Sequence, residues 1–124
     1  MTAPNIVGVT VITGKTVTVD LTTTNATAIT SNAAASGKVF KINSLYVANI
    51  DTSTNISVTV NYYSAAAIGG TAIPIASTVA VPANSTLVVI SKDSSIYLEE
   101  DKSIGATAGT SSKLKIICSY EEIS

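Results

Sequence analysis

Three acids stand side by side at Glu99, Glu100 and Asp101, and a second acidic pair, Glu121 and Glu122, lies near the C-terminus. Together they are five of the eight acids in a chain of 124 residues. Neighbouring carboxylates can do two kinds of chemistry. Held in environments that push their pKa values apart, they serve as general acid and general base. Converging on one point, they hold a divalent cation. Neither pattern is met. Three consecutive residues point to alternating faces of a strand, or splay into solvent from a turn. A calcium loop needs acids at alternate positions with a glycine at the bend, which is absent. Ile96 and Leu98 alternate before the acids, Ile104 and Ala106 after them, and Lys102 stands beside them. The three acids are therefore expected to be exposed turn residues that tolerate replacement by serine. Glu121 and Glu122 are expected to form the polar end of the last strand.

The remaining reactive groups fare no better. The chain has no His, so serine and threonine lack their usual base. Ser91-Lys92 has no nucleophile elbow around it. Cys118 shares a strand face with Leu114 and Ile116 and is expected to be a buried structural thiol. The "AIGGTA" stretch lacks the lysine and the strand-to-helix setting of a phosphate loop. No catalytic residue, metal ligand or cofactor is assigned, and the chain is read as a non-enzyme. All seven basic residues are lysine and the formal charge is −1 with no basic cluster, which argues against nucleic acid as a partner. No apolar run reaches the ~18 residues of a membrane span. "MTAPNIVGVTV" lacks the basic and apolar regions of a signal peptide, and a lone cysteine suits a reducing compartment, so cytosolic synthesis is expected.

The elements that would position these groups alternate with period two. "TVTVDLT" sets Val17, Val19 and Leu21 against threonines and Asp20. "ISVTVNYY" sets Ile56, Val58, Val60 and Tyr62 on one face, and "KLKIICSYEE" does so with Leu114, Ile116, Cys118 and Tyr120. Half-buried antiparallel strands read this way. Breaks recur at Gly14-Lys15, at "DTSTN", at "IGG", at "VPANST" and at "AGTSSK". The longest strand is expected over Val39 to Ile50. The segment Thr22 to Gly37 is expected to be a loop with a short strand at Ala26 to Ile29. Tyr62 and Tyr63 must face opposite sides of one strand, so one of them is expected in solvent, where it could stack on a sugar or anchor a protein contact. Short strands with regular turn signals predict one all-β domain over residues 1–124, an antiparallel β-sandwich of about seven to nine strands.

The stretch "VPANSTLVVISKDSSIYLEEDKSI" resembles the L-x-x-G-D-x-I turn region of jelly-roll-like sandwiches in viral and phage particles, with Asp101 and Lys102 at the Gly and Asp positions. With "GKVFKINSLYVANIDTSTNISVTVNYY" and the ending "CSYEEIS", the chain is similar, from about Asn5 to Ser124, to small β-sandwich structural proteins of marine tailed phages, especially those of cyanobacteria. That resemblance implies a jelly-roll-like virion component assembled in the host cytoplasm. Capsid decoration beside the major capsid protein comes first. A neck, tail or fibre-associated part is the alternative, and a carbohydrate-binding sandwich that touches the host surface is a third reading from a different class. A homo-oligomer is expected. An open sandwich has edge strands, and an apolar arm can add a strand to a neighbour's edge. Residues 1–7, with Pro4, Ile6 and Val7, either pair inside their own domain as its first strand or form such an interface arm.

Overall fold

The computed structural model describes Gly8 and residues 10 to 124, and among them it is all-β. Nine strands follow in order: β1 (Ile12–Leu21), β2 (Thr27–Asn32), β3 (Val39–Asn49), β4 (Ile56–Ala65), β5 (Gly69–Val81), β6 (Thr86–Ile90), β7 (Ile96–Leu98), β8 (Lys102–Ala108) and β9 (Leu114–Ile123). They build two antiparallel sheets. One has the order β1-β9-β3-β6, with β7 beside β6 on the same edge of β3; the other has the order β2-β8-β4-β5. The two sheets form a β-sandwich. Pairing is nested: β4 with β5, β3 with β6 and β7, β2 with β8, β1 with β9. A long hairpin wound on itself in this way is the jelly-roll arrangement. β6 and β7 act as one strand interrupted by a single 3-10 turn at Lys92–Ser94.

Alternation places the core. Val58, Val60, Ile104 and Ala106 from one sheet meet Ile42, Leu45, Val47, Leu114, Ile116 and Cys118 from the other, all essentially without solvent contact. Two breaks expected from the sequence do not occur as expected. Gly14-Lys15 is no turn; β1 runs straight through it. Gly14 stands opposite Glu121 and Lys15 opposite Tyr120, and the ladder to β9 holds the strand extended across the glycine. The break at "IGG" comes earlier than expected: β4 ends at Ala65, the turn is residues 66–68, and Gly69 and Gly70 already belong to β5, which at 13 residues is longer than β3.

Two buried asparagines pin the sheets together. Asn49, at the end of β3, donates from Nδ2 to the Thr54 and Val81 carbonyls at 2.9 Å each and accepts from the Asp51 N–H at 2.9 Å. Asn32, at the end of β2, donates to the Lys38 carbonyl at 2.9 Å and the Leu98 carbonyl at 3.0 Å, and accepts from the Ser36 hydroxyl. Val81 lies in the opposite sheet from Asn49, and Leu98 in the opposite sheet from Asn32. Each amide uses both its donor and its acceptor ends, which is what makes a buried polar group tolerable.

Asn49→Ala should strand two carbonyls and one N–H and lower stability by about 3 kcal/mol, read by thermal or urea unfolding. Asn49→Asp should be at least as damaging at neutral pH, because it buries a carboxylate and loses both donors. Burial raises that carboxyl in the folded state, so the deficit should shrink as the pH falls and the group becomes neutral. A deficit independent of pH would show that Asn49 is not held as described.

Candidate functional site

The acidic turn joins β7 to β8, and it does a structural job. Asp101 takes a left-handed backbone at φ 59°. That conformation is the reason glycine is at home in such a turn, and Asp is one of the few other residues that visits it. Its Oδ1 accepts from the Ala66 N–H at 3.0 Å. The next two amides of the β4–β5 turn are also bound by side chains of other strands. Ala67 N–H donates to Ser31 Oγ and Ile68 N–H to Ser103 Oγ, each at 2.9 Å. Ser103 Oγ donates in turn to the Ala65 carbonyl, and Lys102 Nζ donates to the Ser64 carbonyl. The β4–β5 turn is thus a strap latched over the outer face of its own sheet. Gly105 makes the seat: a Cβ there would meet Ile68 Cγ2 at 2.7 Å, the Thr27 carbonyl at 2.9 Å and the Tyr63 ring at 3.1 Å. Ala67 and Ile68 are both left-handed, at φ 55° and 52°. For a β-branched residue this is a strained conformation, and the latch bonds and the packing over Gly105 hold it.

Glu99 and Asp101 are exposed as expected. Glu100 is not. It is half-buried, and both carboxylate oxygens are shielded from solvent without a hydrogen-bond partner among the described residues. The alternation of β7, with Leu98 inward and Glu99 outward, continues into the turn and sends the middle acid toward the protein. No group of three or more His, Cys, Asp or Glu residues is placed to hold a metal among the described residues.

Glu121 and Glu122 lie at the end of β9, and Glu122 has a partner on either side there. It faces into one end of the sandwich, opposite Phe40, and two lysines clamp it. Lys15 of β1 reaches it at 2.9 Å and Lys38 binds its other oxygen. The hydrogen bonds from Lys15 and Lys38 hold its carboxyl below the usual range. Phe40 and Tyr120 pack beside it with ring centroids 5.1 Å apart.

Ser91 is engaged with Ser94 across the 3-10 turn, and Lys92 is exposed, so the pair forms no nucleophilic dyad. Cys118 is fully buried. Burial pushes its thiol up to about 11, and the Thr30 hydroxyl beside its sulfur opposes that weakly. Tyr63 is buried and Tyr62 packs against the core, so neither stands in solvent. The reason is the strap: Tyr63 points outward from its strand and is covered by the β4–β5 turn. The exposed tyrosines are Tyr46 and Tyr97 on the other sheet, which sequence reading did not single out. Pro4, Ile6 and Val7 lie outside the described residues. No pocket is present among the described residues.

No protein-family model matches the chain, and no curated protein matches it. Among solved structures, the fold is similar to a chain of the Bacillus endospore appendages, described as a novel family of disulfide-linked pili. The two align with a TM-score of 0.52 at 17% identity, over 90% of this chain and 86% of that one. At that identity the likeness concerns the fold.

Two variants test the roles assigned here. Asp101→Gly keeps the left-handed turn and loses the bond to Ala66, so it should cost about 0.5–1 kcal/mol. Asp101→Ala also strains the backbone and should cost about 1 kcal/mol more. Equal stability of all three proteins in urea would dismiss the latch. For Glu122 the folded carboxyl lies below its unfolded value, so its contribution is present above the unfolded pKa and lost as pH falls through the folded one. Glu122→Gln should therefore unfold at lower temperature than the parent at neutral pH, and the gap should close in acid.

Proposed function

We propose that this chain is a non-enzymatic structural subunit of a larger particle, most specifically a virion protein of a tailed phage that decorates the capsid beside the major capsid protein. One observation carries the reading: the groups that could have done chemistry are used in holding the jelly roll shut. Asp101 latches a strap, Glu122 is clamped by two lysines, and Cys118 is packed in the core. The surface left over is rich in serine and threonine and carries exposed large apolar residues such as Tyr46, Ile73 and Val88. Such a block works by contact. In the capsid role it would bridge neighbouring shell subunits and add buried area, assembling in the host cytoplasm.

A second reading, a fibre or filament subunit, is supported by the likeness to a pilus chain. That neighbour is described as disulfide-linked. This sequence has one cysteine, and it is buried, so a filament of this chain would not use Cys118 as a disulfide link without opening the core.

Quantitative staining of purified phage particles separates the readings. A decoration protein should be present in a copy number comparable with the shell protein, a neck, tail or fibre part in a handful. Absence from purified particles, or retention by a glycan array as an isolated domain, would sink the virion reading. The arm gives a second check. The backbone bonds of Thr10 and Val11 to Ser124 and the whole β1–β9 ladder lie beyond residues 2–7. Deleting Thr2 to Val7 should leave a folded domain that no longer binds particles. Binding at full occupancy would remove the arm from the assembly.

A further inference from the structure

The outer face of the β1-β9-β3-β6 sheet carries a row that simple alternation does not produce. Ile117 on β9 stands opposite Tyr46 on β3, and Tyr46 opposite Val88 on β6. The three are 48%, 39% and 53% exposed. Directly opposed residues lie about 5 Å apart, so these side chains form one continuous apolar band across three strands. Hydroxyl residues border it: Thr18 extends the row on β1, and Ser44, Ser119 and Thr16 form the next one. Among the described residues, charge on this face sits only at its two ends. At one end Lys115 pairs with Asp20 at 3.1 Å. At the other Glu121 stands opposite Lys41. The outward series along β9 therefore reads Lys115, Ile117, Ser119, Glu121, with opposite charges equidistant from its midpoint.

We propose that this face binds a second copy of the chain, sheet against sheet, about a two-fold axis that runs across the strands close to the Ile117–Tyr46–Val88 band. A two-fold is the operation under which one patch meets itself, and this patch is complementary to itself under it. Lys115 of each copy stands over Glu121 of the other and Asp20 over Gly14, while each band stands over the Ser44–Ser119–Thr16 row of the other copy, so that the two bands lie side by side astride the axis with no like charges opposed. Sheets packed in this way lie about 10 Å apart, within about 30° of parallel, a gap that tyrosine and isoleucine side chains fill from both sides. The four charges of the face cancel, so it offers no net attraction to a polyanion or a basic peptide. A copy of the same face satisfies its charged ends.

The contact is small. Four strands about 4.8 Å apart and about seven residues of 3.3 Å each set its dimensions. That is the low end of specific interfaces, so the isolated pair should be weak and gain strength by repetition in an assembly. The inference rests on the structural-subunit reading only for its biological use.

Sedimentation equilibrium on the full chain, from micromolar to millimolar, tests it. The parent should show a reversible monomer–dimer equilibrium, and Tyr46→Lys should abolish it. Lys115→Glu opposes two acids across the axis and should weaken the dimer about tenfold or more. Lys115→Glu combined with Glu121→Lys should restore it to within a few-fold of the parent. Circular dichroism confirms that each variant is folded. A chain that stays monomeric at millimolar concentration overturns the proposal. So does a dimer indifferent to Tyr46→Lys, or a double swap that fails to restore association. A monomer that still enters particles removes this face and leaves the subunit reading standing. A dimer with the expected mutational pattern that is absent from particles does the reverse.

Discussion

The sandwich closes on its last strand. β9 lies between β1 and β3 and pairs with both along its whole length, Ile12 to Leu21 on one side and Val39 to Asn49 on the other. Until it arrives, the edges of β1 and β3 have no partner, and the inward residues of both lack the Leu114, Ile116 and Cys118 layer they pack against. The end of the sandwich also depends on it, because Glu122 is the acid that Lys15 of β1 and Lys38 before β3 converge on. A strand with two hydrogen-bonded flanks and one buried face has little freedom in register, since a slip by one residue would turn its whole core set to solvent. The ladder between chain ends more than a hundred positions apart also means that folding must close a long loop before the pairing rewards it.

β9 was legible in the sequence for the same reason. Its inward series, Leu114, Ile116, Cys118 and Tyr120, alternates without interruption, and so do Ile56 to Val60 in β4. β5 was not legible. It is an edge strand, exposed over most of its length, and Gly69, Gly70 and Pro74 read as breakers. The turn at Gly14-Lys15 failed because glycine is only a permissive residue, and ten consecutive pairs with β9 override it. The site was legible only in outline. The acidic turn falls where the flanking alternation put it, but its work is done by Asp101 alone, against a loop 35 positions away. Asn32 and Asn49, the two amides that join the sheets, carry no local signal. An asparagine in a Ser/Thr/Asn-rich chain looks like a surface residue until the three-dimensional fold brings carbonyls to its amide nitrogen and a donor to its amide oxygen.

The charges are distributed unevenly, and this changes how the edges are protected. From Thr52 to Ser91 there is no Asp, Glu, Lys or Arg. The segment spans β4, β5 and β6, including the free edge of each sheet on that side. Soluble sheets commonly guard such edges with lysine. Here the guards are conformational. Pro74 removes a donor from β5, and Thr78 breaks the strand with a left-handed residue at φ 48°, its N–H turned back to Thr59 Oγ1 at 3.0 Å. The pairing with β4 is irregular at the same places. An edge interrupted in this way templates a foreign strand poorly even though it carries no charge.

That choice of guard bears on which surfaces remain for contact. If edges are blunted by backbone geometry and one whole flank is uncharged, the charged groups are free to gather where they set orientation. They do so on the outer face of the other sheet and at its ends, around Asp20, Lys41, Lys115 and Glu121. Exposed ion pairs add little to the stability of a folded chain. Their effect on association is larger, because opposed like charges penalise every wrong register while the matched one is unpenalised. In a chain this poor in charge, Lys115 and Glu121, on either side of an apolar band, matter less for the energy of this fold than for the number of ways two such faces can meet.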